Sequence, residues 1–200
     1  MYKNKKTLFT IAFALFLGAS IISLIYQLCA IVFTMTNNQG LEPESIISFL
    51  GNAAVTSFAA YSIRNIYTLD DEKHTHKDLI TLFFIESISL WISVFVSYIK
   101  AVSSYQEPIK HIADSPDSWF RLIVLLISII SILTLLIQKR HNKVYALIGL
   151  SSFALVMVYY SFMYSSILFA GVFSYDFLPS LLITASGVIA IILTAKKEEF

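Results

Sequence analysis

The chain has 200 residues, of which 57% are hydrophobic and only 14% are charged, with a formal net charge of +1 and a mean hydropathy of +0.75. A soluble domain carries roughly a quarter charged residues, and a chain this short cannot hide so much apolar surface from water. The composition therefore excludes an ordinary soluble fold, and no basic cluster is large enough to favour a nucleic-acid partner. We expect an integral membrane protein in contact with the lipid bilayer.

Six apolar stretches follow one another along the chain, each near the roughly 20 residues that a helix needs to cross the hydrocarbon. They cover residues 8–33, 46–67, 79–98, 119–137, 144–170 and 178–195. The first is longer than the roughly 7–15 apolar residues of a signal peptide, so we interpret it as an uncleaved span. Unpaired backbone groups cannot face lipid, and no alternating barrel pattern occurs. The sequence thus predicts an all-α polytopic membrane helix bundle, a single transmembrane domain over residues 1–200.

The basic residues predict the orientation of this bundle. A cytoplasmic N-terminus places eleven of the fourteen lysine and arginine residues on the cytoplasmic side, and both chain ends then lie there. The three on the outer side are Lys100, Lys110 and Arg121. Lysine outnumbers arginine eleven to three and isoleucine is abundant, which favours an AT-rich bacterial genome. We therefore expect a multi-pass protein of the bacterial cytoplasmic membrane.

Glu86 is the most unusual residue of the predicted spans. It lies seven positions into the third span, about 10 Å below the predicted inner surface at the rise of an α-helix. An ionisable group at such a depth is costly and is often functional. Arg64, near the inner end of the preceding span, is a candidate partner in a structural ion pair. The alternative is that Glu86 is a coupling site for a proton or a cation. Glu86 also begins a polar stripe at helical spacing, continued by Ser89, Ser93, Ser97 and Lys100.

A second set of polar residues recurs at one depth in all six spans, roughly 9–12 Å below the predicted outer surface. These residues are Gln27, Asn52, Ser93, Ser128, Tyr164 and Thr184. Tyr159 and Tyr160 lie deeper. One interpretation is an outward-facing polar pocket for a small ligand. Its candidate ligand-binding residues are Gln27, Asn52, Glu86, Ser93, Tyr160 and Tyr164. The other interpretation is ordinary hydrogen bonding between helices.

Pairs of small residues indicate close helix packing. Three such pairs occur, each four residues apart, so each lets another backbone approach one helix face: Ala14 with Gly18, Ala53 with Ser57, and Ser186 with Ala190. Packing inside the bundle is the expected use, and docking of a separate membrane protein is the alternative.

The sequence lacks the constellations that enzymes and metal sites need. No H-E-x-x-H, G-x-S-x-G or phosphate-binding glycine loop occurs, and no histidine lies inside a predicted span to activate Cys29. The histidines of the inner loop at residues 70–78 stand among mixed charges, which is typical of a solvated loop. We therefore expect no catalytic residues, no metal and no cofactor.

In size, span number and orientation the chain resembles the substrate-binding subunits of energy-coupling-factor importers. Those subunits carry an Ala-x-x-x-Ala motif in the first helix, which Ala14-x-x-x-Gly18 approximates. The resemblance is one of architecture, which does not fix function. Two functions are therefore predicted: a small-solute transport component, or a non-catalytic membrane partner such as a regulator, an assembly factor or a toxin-immunity protein. The second predicts a protein partner, and both a membrane protein and a cytoplasmic protein are candidates. For a partner that approaches from outside, such as a secreted toxin, the outer loop at residues 99–118 is the predicted recognition surface.

Overall fold

The computed structural model describes residues 2–37, 40, 43–69, 71–103, 116–137, 143–169 and 177–196. All six helices are long and apolar enough to cross a membrane, so the predicted all-α class and the six spans are confirmed. The helices are α1 (Tyr2–Thr36), α2 (Pro43–Thr68), α3 (Glu72–Ser103), α4 (Pro116–Ile137), α5 (Lys143–Phe169) and α6 (Phe177–Ala195). Most of the predicted outer loop at residues 99–118 lies outside the described residues.

Local chemistry explains where several helices begin. Proline is the first residue of α2 and of α4, a position where its missing N–H is no loss and its fixed φ suits the helix. At the start of α3, the Asp71 carboxylate accepts a hydrogen bond of 2.9 Å from the Lys73 backbone N–H and so caps the helix. The cap makes α3 begin seven residues before the predicted span.

The early start of α3 corrects the expectation of a solvated loop at residues 70–78. His76 is buried rather than solvated, with its Nε2 atom 3.1 Å from the Thr194 hydroxyl of α6 and its ring edge-on to Phe9 of α1. The physical reason is that a helix continues past the hydrocarbon, so its polar first turns still pack against neighbouring helices.

The six helices form a closed ring. Each helix packs against the next one along the chain, and α6 returns to pack against α1. α3 also contacts α1 and α5, so it lies nearest the middle. A salt bridge of 2.9 Å between Lys5 and Glu72, together with the contact between His76 and Thr194, shows that α1 and α3 begin where α6 ends. We call this the terminal end of the bundle, because it carries the first and the last helix ends.

Three phenylalanine rings fill the centre. Phe83 of α3 meets Phe16 of α1 and Phe153 of α5 edge-to-face, with ring centroids 5.0 and 5.3 Å apart. All three rings are fully buried. Gly187 of α6 leaves just enough room, since a Cβ atom there would lie 3.7 Å from the Phe83 ring. Phe83 therefore joins four of the six helices.

Glycine allows two pairs of helices to approach closely. A Cβ atom at Gly51 of α2 would overlap the Ser89 side chain of α3. A Cβ atom at Gly149 of α5 would lie 2.5 Å from a side-chain carbon of Ile132 in α4. Such separations are too short for any side chain, so glycine sets the helix spacing at both contacts.

The Gly51→Ala variant tests this close approach. We expect the added methyl group to lower the free energy of unfolding by about 1–3 kcal/mol, because it forces α2 and α3 apart. Reversible unfolding of the purified protein in mixed micelles measures the change, and Ser89→Gly in the same chain should restore part of it. Gly18→Ala is the matched control, since nothing lies within 4 Å of a Cβ atom there. Equal losses in the two alanine variants would contradict the close approach.

The three pairs of small residues differ in their use. In α2, Ser57 is exposed, and its hydroxyl donates a hydrogen bond of 2.8 Å to the Ala53 carbonyl oxygen of the same helix.

In α6, Ser186 and Ala190 are both buried, and the Ser186 hydroxyl donates a hydrogen bond of 2.9 Å to the Ala12 carbonyl oxygen of α1. This pair packs inside the bundle, as expected. In α1, Ala14 is exposed and Gly18 has no side-chain neighbour on its Cβ side. The expectation of internal packing is therefore wrong for the α1 pair, which faces outward.

Candidate functional site

Glu86 lies inside the bundle without a partner. The residue is 5% exposed, and its carboxyl group makes no hydrogen bond or ion pair within the part of the chain that the structure describes. Phe83 lies one turn before it and Ser89 one turn after it on the same side of α3. Phe83 faces the centre of the bundle and Ser89 faces α2. The Cα–Cβ bond of Glu86 therefore points between the centre and α2. A largely buried acidic residue thus lies one helical turn from the aromatic ring of Phe83.

Contacts between α2 and α3 fix the height of Glu86. The hydroxyl oxygens of Ser48 and Ser93 are 3.2 Å apart, and Gly51 faces Ser89. Since the two helices are antiparallel, Glu86 is level with residues 54 and 55, and Val55 there is fully buried. This level is close to the midpoint of both helices. Glu86 therefore lies near mid-height of the bundle.

The predicted ion pair between Arg64 and Glu86 is not formed. The register places Arg64 about 14 Å further along the α2 axis than the level of Glu86, which is beyond the reach of its side chain. Arg64 is also exposed, on the outer side of α2. The sequence predicts only that consecutive spans run antiparallel, whereas the contact of Gly51 with Ser89 decides which residues of α2 and α3 lie opposite each other.

Two of the six predicted ligand-binding residues meet directly. The Asn52 side-chain amide of α2 donates a hydrogen bond of 3.2 Å to the Gln27 side-chain oxygen of α1. Ser93, a third, pairs with Ser48 as described above. All three are partly exposed, and each joins a pair of neighbouring helices.

Tyr160 belongs to a different contact, between α4 and α5. Its hydroxyl accepts a hydrogen bond of 3.4 Å from the Arg121 guanidinium, which also lies over the Tyr160 ring at 5.6 Å from the centroid. Arg121 is held in turn by Asp117, one turn earlier on α4, at 2.9 Å. None of the hydrogen bonds between described residues links Tyr160 to Gln27, Asn52 or Ser93. The side chain of Tyr164 lies outside the described residues.

Ser128 and Thr184 are also satisfied by neighbouring helices. Ser128 of α4 donates to the Gly149 carbonyl oxygen of α5 at 2.9 Å and lies 3.2 Å from the Ser87 hydroxyl of α3. Thr184 of α6 lies 3.4 Å from the Ser161 hydroxyl of α5. These contacts fit the interpretation of polar residues as links between helices. A single pocket formed by all six layer residues is not what the contacts describe.

Sequence reasoning missed several buried polar groups. The Trp91 Nε1–H and the Tyr98 hydroxyl, both on α3, make no hydrogen bond within the part of the chain that the structure describes. Tyr98 is buried against Trp119 of α4. Ser62 and Asn65 of α2 and Asp78 of α3 are likewise buried, and the two α2 side chains lie beside the Asp78 carboxylate. For Asp78, the helical spacing of polar residues at the terminal end of α3 was the sequence pattern that could have predicted its burial.

The described part of the chain contains no group of three or more histidine, cysteine or acidic residues arranged to hold a metal ion. Comparisons of the chain with protein-family models, with curated proteins and with solved structures found no match. What the fold and the site establish is an integral membrane protein of six apolar helices, with an unpaired acidic residue near its mid-height.

Proposed function

We propose that this chain is a transport component for a small solute, in which Glu86 takes up and releases a proton during the transport cycle. The supporting observation is an acidic residue that is buried near mid-height of the bundle and whose carboxyl group has no hydrogen-bond or ionic partner among the described residues. An ionised carboxylate without a partner in an apolar surrounding is strongly disfavoured, so the protonated acid suits this conformation. A second conformation, which brings water or a polar solute to Glu86, allows the proton to leave. Burial then alternates with ionisation, which couples proton movement to a conformational change.

The residues proposed to receive the solute are the polar side chains that now link helices. Three of these residues, Gln27, Asn52 and Ser93, lie in the half of the bundle between Glu86 and the end that is opposite the terminal end. Their hydrogen bonds run between separate helices, so a small separation of α1, α2 and α3 would free them for a polar solute. Tyr160 and Tyr164 of α5 are the proposed second wall. With the predicted orientation, the solute would enter from outside the bacterial cytoplasmic membrane.

No catalytic role is proposed. Among the described side chains, none that serves as a nucleophile or a base is bonded to Glu86. Glu86 alone supplies neither an activated nucleophile nor a pair of carboxyl groups for acid–base catalysis.

Transport by purified protein in sealed liposomes tests the proposal. A panel of radiolabelled small polar solutes is offered with an imposed pH gradient across the membrane, and an entrapped pH-sensitive dye reports proton movement. We expect at least one solute to accumulate with the gradient, to stop when an ionophore collapses it, and to carry protons with it. Solute entry that ignores the pH gradient for every compound would contradict proton coupling.

A second candidate is a non-catalytic membrane protein that binds a partner helix. The observation that favours it is the outward-facing pair Ala14 and Gly18 on α1, which internal packing leaves uncovered. Exposed small residues at this spacing allow another transmembrane helix to come close.

The Gly18→Leu variant separates the two candidates. The tagged chain is purified gently from its native membrane, and its companions are identified by mass spectrometry. If partner binding is the function, we expect a stoichiometric membrane protein that leucine displaces by at least about tenfold, because the side chain blocks helix approach. Gly18→Ala, a smaller change at the same position, should retain the partner in part. A companion that persists unchanged in Gly18→Leu, or the absence of any companion, would argue against this candidate.

A further inference from the structure

Arg121 of α4 faces into the bundle near the end away from the terminal end, which we call the opposite end. It begins a helical stripe that continues with Leu125, Ser128 and Ile132, all three fully buried. The stripe packs against two helices, because the Ser128 hydroxyl contacts both α3 and α5. The Arg121 side chain therefore starts on the inner face of α4, and it is only 22% exposed.

The level of Arg121 is about two helical turns beyond Glu86, toward the opposite end. Ser87 of α3 stands opposite Ser128 of α4. Because these helices are antiparallel, Arg121 is level with residue 94 of α3, about 12 Å from Glu86 along the helix axis. The amide hydrogen bond between α1 and α2 lies between these two levels. A cation, a neutral amide layer and a buried acid thus follow one another from the opposite end inward.

Arg121 already binds a carboxylate in this structure. Its Nη2 atom lies 2.9 Å from an Asp117 carboxylate oxygen, and its Nη1 atom donates a hydrogen bond of 3.4 Å to the Tyr160 hydroxyl. Tyr160 is one of the residues proposed above to receive the solute. The Asp117 side chain is 52% exposed, and an ion pair with so exposed a partner contributes little to stability because water screens it. Exchanging Asp117 for another carboxylate therefore costs little.

The charged side chains described at the opposite end favour an anion over a cation. They are Arg121, Lys100 and Asp117, two cations and one acid. A cationic solute would be repelled by Arg121 before it reached the amide layer, whereas an anionic solute is attracted. The planar guanidinium group matches a carboxylate in shape, because two parallel N–H bonds can bind its two oxygens.

We propose that the transported solute is a small monocarboxylate, whose carboxylate group replaces Asp117 on Arg121. This inference rests on the proposed transport function and names its solute class. The amides of Gln27 and Asn52 would then contact the rest of the solute. One monocarboxylate and the one proton on Glu86 carry no net charge together, so the membrane potential does not oppose their joint movement.

Thermal unfolding of the purified full chain in a neutral detergent tests the solute class. The sodium salts of acetate, propionate, lactate and pyruvate are compared with the corresponding neutral amides at constant ionic strength. We expect at least one carboxylate to raise the Tm and to saturate, while its amide gives no rise, because a ligand that binds the native state stabilises it. No rise with any of the four carboxylates would overturn the proposal. An equal rise with inorganic phosphate, or with phosphatidylglycerol in the micelle, would also overturn it.

Two substitutions distinguish a solute site from a structural ion pair. Arg121→Gln should weaken carboxylate binding by at least about tenfold, because it removes the charge that binds the carboxylate. Asp117→Asn should strengthen binding about two- to fivefold, the factor that corresponds to loss of an exposed competing ion pair. A structural pair predicts no gain of affinity in Asp117→Asn, so unchanged or weaker binding there would overturn the proposal even if Arg121→Gln failed to fold.

Lys100→Gln is the matched control, since it removes an exposed cation of α3 at the same end. We expect this variant to bind the carboxylate with wild-type affinity. A loss as large as that in Arg121→Gln would indicate unspecific attraction by surface charge and would contradict a site on Arg121.

The binding measurements use no pH gradient, so they separate the solute class from proton coupling. In the liposome assay, proton-coupled uptake of neutral solutes but of no monocarboxylate would overturn the solute class and leave the role of Glu86 standing. Saturable carboxylate binding that depends on Arg121, together with uptake that ignores the pH gradient, would support the solute class and overturn proton coupling alone.

Discussion

The Glu86→Gln variant is expected to insert and fold like the wild-type protein but to support no proton-coupled solute flux above that of protein-free liposomes. Glutamine has nearly the shape of a protonated glutamic acid, and it cannot release or accept a proton in the physiological range. The side chain is buried without an ionic partner, so removing its acidity breaks no salt bridge among the described residues. We expect the free energy of unfolding to change by no more than about 1 kcal/mol. Flux and unfolding are measured on the same preparation.

Two further variants sharpen this test. Glu72→Gln makes the same chemical change on the same helix, but at the partly exposed salt bridge to Lys5, and it should leave flux unchanged. Glu86→Asp keeps the acid but draws it back by one methylene group, so we expect slowed flux that still depends on the pH gradient. Normal coupled flux in Glu86→Gln would refute the role of Glu86. A loss of flux in Glu72→Gln of the same size would point to general damage instead.

Phe83→Ala is expected to give the largest loss of stability of any single change considered, about 3 kcal/mol. The ring contacts Phe16 and Phe153 edge-to-face and adjoins Gly187, so truncation leaves a cavity shared by four helices. In a soluble protein, the truncation would also lose the favourable free energy of transferring the ring from water into the core. Inside a bilayer the lipid is as apolar as the core, so the expected value reflects lost packing and lies at the low end of the soluble range. Reversible unfolding in mixed micelles measures it.

The control for this variant is Phe162→Ala on α5, whose ring faces outward and is 70% exposed. Lipid or detergent fills the space that this truncation leaves, so we expect a change within about 0.5 kcal/mol. Phe83→Leu should retain roughly half of the lost stability, because leucine fills part of the cavity. Similar losses in Phe83→Ala and Phe162→Ala would show that the aromatic cluster is not the centre of the fold.

Polar contacts connect the ring of helices in a way that no single span reveals. Gln27 with Asn52 joins α1 to α2, Ser48 with Ser93 joins α2 to α3, and the bond from Ser186 to the Ala12 carbonyl closes α6 onto α1. The equal depth of polar residues was visible in the sequence. Whether that layer forms a pocket or a set of helix links depends on which faces meet, and the contacts favour links for most of its members.

Glu86 shows how far sequence reasoning reaches at the candidate site. The sequence alone identified Glu86 as an unusual residue, because an acidic side chain in an apolar stretch is costly in hydrocarbon whatever its neighbours are. The ion pair with Arg64 was wrong because helix register depends on a glycine contact about one turn away from Glu86, at Gly51 and Ser89. The cluster of Ser62, Asn65 and Asp78 was missed because Asp78 was assigned to a loop.

The number of spans and their helical nature could be predicted from the sequence, whereas α1 and α3 are longer than the apolar stretches that predicted them. A backbone in lipid must satisfy its own hydrogen bonds, so composition over about 20 residues is enough to predict each helix. Only the tertiary structure decided that α3 lies nearest the middle, that Phe83 joins four helices and that Arg64 is remote from Glu86. In a bilayer every apolar face is tolerated by lipid, so hydrophobicity does not select which faces pack together. Small residues, ring shapes and a few polar atoms make that choice, and they act only when two particular helices meet.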